Sequence, residues 1–334
     1  MEQKVLRIST LVVIGAVVLR LVSAALPTNI AALQISPELA SFIVFLQTGR
    51  VVKPGNISFD PPKETVQETT PPETDPPATP PPQISLPVFS EQDAVGIGVN
   101  SSFSYSADLP ALLSKPLSWD LSGEAPTVLI IHSHGSESYA PTGTYTEISP
   151  YHTLNKDYNM VSVGTYLTKL LEAGGIRVLH DTTLHDSPSY NAAYGNSRAS
   201  VQDYLKQYPT IQLVLDLHRD SIQNAAGEQI AQTVFSGTTT LAPLMFVVGT
   251  DAGGLHHPDW QENLALALKL QVLLEDSCPG LCRKINLRTE RFNQDLSAGA
   301  LLIEMGASGN SREQVLRSTE LLAESILALA HGSE

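Results

Sequence analysis

Residues 211–220 read Ile211-Gln212-Leu213-Val214-Leu215-Asp216-Leu217-His218-Arg219-Asp220. The first part is a short apolar run bounded by polar residues, the pattern of a strand buried on both faces of a parallel sheet. The second part puts carboxylates, an imidazole and a guanidinium where that strand runs out. Ligands in open α/β sheets collect beyond the carboxyl ends of strands. This one stretch therefore points to a fold class and to a place for chemistry.

The same pattern recurs on either side. Thr127-Val128-Leu129-Ile130-Ile131, Ile176-Arg177-Val178-Leu179, Leu244 to Gly249 and Ala300 to Glu304 read as further strands. Between them, residues 157–174 carry Met160, Val163, Leu167, Leu170 and Leu171 at helical spacing, and Gly174-Gly175 stops that helix. Helices are also predicted around 196–207, from Trp260 to Leu274 and over 311–330. Strands alternating with helices predict one α/β domain over residues 126–330, a mostly parallel sheet flanked by helices, with 91–125 as a lead-in. No internal repeat is present.

Upstream the chain changes character. Lys4 and Arg7 precede a run from Ile8 to Leu26 that is apolar except for Ser9, Thr10, Arg20 and Ser23. About 20 apolar residues suffice to cross a bilayer, and the flanking basic residues favour a cytoplasmic N-terminus. Residues 1–27 are expected to form a retained single-pass anchor; the rival is a cleaved signal peptide ending near Val22-Ser23-Ala24. Either exports the rest of the chain. Residues 28–53 form a membrane-proximal segment with a short apolar patch at Phe42–Leu46. Residues 54–90 are a linker, since its repeated proline pairs favour extended polyproline II and bury nothing.

Composition narrows the function. The chain has 334 residues and a net charge of -14, with only 20 Lys and Arg. No basic stripe offers itself to a phosphate backbone, so nucleic acid is not an expected partner. Mean hydropathy of +0.01 excludes a polytopic membrane protein. Two cysteines exclude a Cys-rich zinc module, so any metal chemistry must use His and carboxylates. Cys278 and Cys282 flank Pro279-Gly280-Leu281, close enough in an exported chain for a small disulfide; the sequence leaves open whether they are bridged.

Three strand ends carry residues able to hold a metal or move a proton. The first ends in His132-Ser133-His134-Gly135-Ser136-Glu137, where His134-x-x-Glu137 lets an imidazole and a carboxylate converge on one ion. In the central strand Asp216 and His218, two apart, share one face, a common arrangement beside a ligating histidine. The last strand ends in Glu304. An ionisable group closing an apolar run is costly to bury without a purpose, and desolvation raises its proton affinity, which suits acid/base work. Each feature alone is commonplace; their joint position at strand ends is what counts. His180 and His185 lie in an acidic loop and are expected to make local hydrogen bonds.

The segments IIHSHGSESYAP, VLHDTTLHDSPSYNAAYGNSR, LVLDLHRDS and RFNQDLSAGALLIEMGASGN resemble the stage II sporulation protein P family. With the anchor and its Pro-rich spacer, the resemblance covers most of 126–330. It implies an amidase-3-like α/β fold and zinc-dependent hydrolysis of the bond between N-acetylmuramic acid and L-alanine in peptidoglycan. It further implies a role in septal thinning and forespore engulfment, with a lytic transglycosylase and a membrane scaffold protein as partners, and an added endopeptidase activity. Position by position, His134 and His218 match the metal histidines and Glu304 the catalytic glutamate. The remaining ligand departs from the wider superfamily, whose equivalent position here is Asn155. Glu137 is taken as that ligand, with Asp157 in reserve, and His132 stands behind His134. Three protein ligands leave zinc a position for water. Arg219 is assigned to a peptide carboxylate or muramyl group, and Asn293 and Gln294 to substrate amides. Rival readings are a non-catalytic peptidoglycan-binding module and a carboxypeptidase-type zinc peptidase, the latter normally longer than 126–330.

Overall fold

A computed structural model describes residues 86–117, 119–141 and 145–331. The anchor and membrane-proximal segment expected over 1–53, and nearly all of the 54–90 linker, lie outside those residues. Among the described residues no helix is long and apolar enough to cross a membrane.

The strands are β1 (Val99–Ser101), β2 (Val128–Ile131), β3 (Val178–His180), β4 (Leu213–Asp220), β5 (Val234–Ser236), β6 (Thr239–Leu241), β7 (Leu244–Gly249), β8 (Ile285–Arg288) and β9 (Ala300–Ala307). The helices are α1 (Leu109–Ser114), α2 (Met160–Ala173), α3 (Ala193–Gln207), α4 (Trp260–Ser277) and α5 (Arg312–His331). Seven strands form one sheet in the order β1-β8-β7-β9-β4-β2-β3, and β5 and β6 make a separate hairpin. The pairs β1·β8, β7·β8, β4·β9, β2·β4 and β2·β3 are parallel, whereas β7 and β9 run antiparallel. The sheet therefore has two halves of opposite direction. The carboxyl ends of β2, β4 and β9 share one edge, and those of β7 and β8 face away from it.

Side-chain alternation explains the two buried faces. Val128, Ile130, Leu213, Leu215, Leu217, Leu301, Ile303 and Met305 enter the main core with α2, α4 and α5. Leu129, Ile131, Val214 and Ala300 point the other way and pack with Val201 of α3. Continuing that second series by twos along β4 and β9 reaches Asp216, His218 and Glu304. These polar residues thus emerge on the α3 face, beyond the apolar part of the strands.

The helices begin and end by local chemistry. Asn159 caps α2 by accepting the Val161 N–H at 3.1 Å. Past its end Gly175 takes a left-handed φ of 89°. The first turn starts later than the sequence suggests because 155–158 form a turn of their own, closed by the Tyr158 N–H on Asn155 O at 3.0 Å.

The lead-in expected over 91–125 is part of the domain. β1 adds an edge strand to β8, and α1 packs against α4. Phe89, still inside the expected linker, packs on the main core. The reason lies in α4, where Leu264, Leu266, Leu268 and Leu270 are all buried. A helix apolar all round needs cover on both sides, and the sheet supplies only one. Lys269, buried on the covered side, sits with its Nζ 4.8 Å from the Phe89 ring centre and donates to Leu113 O. The domain boundary accordingly lies before Phe89 rather than at 126.

Candidate metal centre

β2 leaves the sheet at Ile131, and the next residues are fixed one by one. His132 is fully buried, with Nδ1 3.2 Å from Leu217 O and Nε2 2.9 Å from His180 Nε2. Burial, reinforced by His180, pushes its proton affinity down to about 3, so the ring is a neutral strut. With both ring nitrogens engaged by Leu217 O and His180, it lies outside the candidate ligand group. The imidazole pair lies against Gly164 of α2, where an added Cβ would stand 2.4 Å from His132 Nε2 and 2.6 Å from His180 Nε2. Gly164→Ala is expected to cost about 1–3 kcal/mol by overpacking, read as a lower denaturation midpoint. An unchanged midpoint would mean that the pair moves aside freely. Ser133 then donates its N–H to Asp216 Oδ1 at 2.8 Å and its hydroxyl to Oδ2 at 2.5 Å.

The chain turns between His134 and Glu137, with the Glu137 N–H on His134 O at 3.2 Å. Ser136, inside that turn, is held by Asp186, which accepts its N–H at 3.1 Å and its hydroxyl at 2.6 Å. The turn presents His134 and Glu137 to His218 of β4. One ligand atom from each of the three lies within 4.8 Å of the others, and they form the candidate metal group found among the described residues. His134 Nδ1 is 3.9 Å from Glu137 Oε1, and His218 Nδ1 is 3.8 Å from Glu137 Oε2. Two atoms each about 2.1 Å from one ion can lie up to about 4.2 Å apart, so both separations fit a shared ion. Asp157 is exposed in the 155–158 turn and outside the group, so the reserve ligand falls away.

Charge favours a cation here. Glu137, Asp216 and Glu304 surround the two imidazoles. Burial pushes the proton affinity of His134 down to about 4, leaving the neutral ring a metal requires. Burial also opposes charge on His218, but Asp216, then Glu137 and Glu304, carry it up to about 9. Those carboxylates hold a positive charge at His218, which a metal can supply in place of the proton. His218 Nε2 is 2.9 Å from Asp216 Oδ1 but off the axis of a hydrogen bond, so the contact is chiefly electrostatic.

Glu304 stands directly across from His218 in the β4·β9 register. Its Oε2 is buried without a hydrogen-bond partner among the described residues. Burial raises its proton affinity to about 8, with the like charge of Glu137 adding to the rise and His218 opposing it. This is a carboxyl poised to exchange between its ionised and neutral forms near physiological pH.

Three residues expected to meet substrate have other work. Arg219 is 6% exposed. Its backbone N–H donates to Glu137 Oε2 at 3.2 Å, its Nε to Ser138 O at 3.1 Å and its Nη2 to Tyr151 O at 3.0 Å. It braces the Glu137 carboxylate and the following loop. Gln294 is 2% exposed and spends its amide on β7, donating to Val247 O at 2.8 Å and accepting the Gly249 N–H at 2.9 Å. Asn293, at φ 60°, donates to Tyr194 O at 2.9 Å and Ser197 Oγ at 3.1 Å. All three are fixed by the fold instead of reaching outward.

Other groups at the site were not singled out from sequence. The Tyr190 ring stacks on His134 with centres 4.1 Å apart and planes at 18°. Tyr194 lies parallel to His218 at 6.2 Å. His152 has its ring 6.1 Å from Tyr190 and its backbone bridged to Glu137. Tyr190 sits in the short 3-10 turn that leads into α3 and Tyr194 in the first turn of α3, and their spacing of four is the one sequence signal that hinted at a shared face. Nothing marks His152, whose loop returns only after folding. His185 pairs with Asp181 at 3.0 Å, as its acidic loop suggested. Cys278 and Cys282 are free thiols, so the small disulfide is not formed.

The chain matches the family model described as Stage II sporulation protein P over residues 50–327. It is similar to the Stage II sporulation protein P of Bacillus subtilis (strain 168), with 29% identity over 213 residues, 60% of this chain and 50% of that protein. The chain thus spans about half the length of the curated relative it matches. Among solved structures, N-acetylmuramoyl-L-alanine amidase AmiC2 of Nostoc punctiforme gives a TM-score of 0.37 at 13% identity, covering 62% of this chain and 97% of that one. An N-acetylmuramoyl-L-alanine amidase from Clostridium difficile 630 gives 0.35 at 18% identity, covering 61% and 94%.

Proposed function

We propose that this chain, which belongs to the stage II sporulation protein P family, hydrolyses the amide between N-acetylmuramic acid and the L-alanine of the peptidoglycan stem. The observation that carries this reading is the convergence of His134, Glu137 and His218 with Glu304 on the adjoining strand. Two imidazoles and a carboxylate suit zinc, and the three residues would hold it. Bound zinc supplies an acidified water and polarises a carbonyl. Glu304, buried beside His218 with a free oxygen, takes a proton from the attacking water and delivers it to the leaving amine. Asp216 sets the charge and orientation of His218. Arg219 keeps Glu137 turned toward the histidines.

The upstream sequence supports a cellular setting for this reading. Residues 1–27 anchor the chain by a single pass, and the proline-rich linker holds the domain outside the cytoplasm. There it thins septal wall during engulfment with a lytic transglycosylase and a membrane scaffold. Carbonate-washed membranes and protease-treated protoplasts test the placement; a shortened, soluble chain would replace the anchor by a signal peptide.

The activity is tested by digesting purified peptidoglycan with the full chain. Stem peptides bearing a free L-alanine amine should appear with no new reducing sugar ends. A chelator should abolish their release and added zinc restore it. Binding of the wall without release of any peptide would make the domain a binding module, and release of a C-terminal amino acid alone would make it a carboxypeptidase.

A further inference from the structure

We propose that Tyr190 is a further catalytic residue, whose hydroxyl donates a hydrogen bond to the scissile carbonyl oxygen as that oxygen gains negative charge. The inference rests on the amide-hydrolase reading above and adds a group to it. The Tyr190 hydroxyl lies 3.2 Å from His134 Nδ1. That nitrogen is also the one 3.9 Å from Glu137 Oε1. The hydroxyl therefore lies on the His134 side of the ligand group. A carbonyl drawn to the same centre comes within its range, and a phenol is a donor at neutral pH.

The donor is held in place before substrate arrives. Its ring lies flat on His134, and His152 closes in at 6.1 Å with its plane at 79°. The segment carrying it is tied to the ligand turn by Asp186, which accepts from Ser136 between His134 and Glu137. On the other side Asn196 donates to His185 O at 2.7 Å. Donors fixed in this way stabilise developing charge without reorganising. Tyr190 is nonetheless 51% exposed, so a polymeric substrate can reach it. Tyr194, the second tyrosine at the site, lies parallel to His218 and edge-on to His134, and among the described residues its hydroxyl has no hydrogen bond to either ring.

The step balances simply. Water oxygen bonds to the carbonyl carbon as its proton passes to Glu304, and the carbonyl π pair moves onto oxygen. That oxygen accepts the Tyr190 hydrogen bond, with no proton transferred. The pair returns as the carbon–nitrogen bond breaks, and the amine leaves with the proton held by Glu304. Tyr190 ends unchanged.

Tyr190→Phe tests the idea, since it keeps the ring stack and removes only the donor. In the full chain, the rate of peptide release should fall by about 10²–10³-fold, with KM and zinc per chain unchanged. A second reading is calorimetric. A phosphinate isostere of the muramyl–L-alanine amide, with its charged tetrahedral oxygens, should bind the variant more weakly, while the product stem peptide binds equally well. An active parent with an equally active Tyr190→Phe overturns the proposal. Loss of zinc in Tyr190→Phe overturns it too, because the hydroxyl would then serve the ligand group. A parent that releases no stem peptide sinks the amide-hydrolase reading, and this proposal with it.

Discussion

Glu304→Gln is expected to bind zinc like the parent chain and to release peptide at least about 10²–10⁴-fold more slowly. Glutamine keeps the shape of the side chain but cannot accept the water proton. The metal should stay because Glu304 lies outside the group formed by His134, Glu137 and His218. The fold should hold as well. Glu304 Oε2 has no hydrogen-bond partner among the described residues, so the substitution breaks no contact at that oxygen. Burial already favours its neutral form. Zinc content by atomic absorption, set against the rate, decides the matter. A folded Glu304→Gln chain without metal would make Glu304 a ligand and require another proton carrier.

Substitution of the ligands should separate from substitution behind them. His218→Ala removes a ligand and leaves Glu137 and Asp216 buried without their imidazole, so zinc and activity should be lost together. Stability should fall as well, by about 3–5 kcal/mol, the usual result of orphaning buried charge. Glu137→Gln is the sharper test, because Glu137 supplies the carboxylate of the candidate group. It should lose zinc as His218→Ala does, with less damage to the fold. Asp216→Asn removes the charge beside His218 and one of the two acceptors used by Ser133, and zinc affinity should drop by about 10–100-fold while remaining measurable. Equilibrium dialysis across these variants gives the order. Full zinc content in Glu137→Gln would remove it from the ligand set and leave the two histidines without a carboxylate partner.

Much of this architecture is legible in the chain because it depends on local pattern. The buried strands around 128–131, 213–217, 244–249 and 300–304 are continuous apolar runs, and such runs have few alternatives once both faces must be covered. The helix over 160–173 follows from spacing and from Gly174-Gly175. The sequence also locates His134, Glu137, His218 and Glu304, since each closes or follows a strand whose end is itself recognisable. The antiparallel meeting of β7 and β9 is a different matter: it is a choice of neighbour, and no residue in either strand announces it.

What the sequence by itself determined was therefore five of the nine described strands, the main helices and the candidate chemical groups, while β1, β5, β6 and β8 went unread. Only the tertiary structure decided which groups can be free to act. Arg219, Asn293 and Gln294 carry the right atoms for binding substrate, but their hydrogen bonds are taken up by backbone and side chains from segments distant in the chain. Tyr190 and His152 lie 56 and 67 residues from the partners they approach, His134 and Arg219. Burial, hydrogen-bond satisfaction and the sharing of one charge among several carboxylates are properties of the packed ensemble of segments. They arise when the sheet edge brings β2, β4 and β9 together, and no spacing along the chain encodes them.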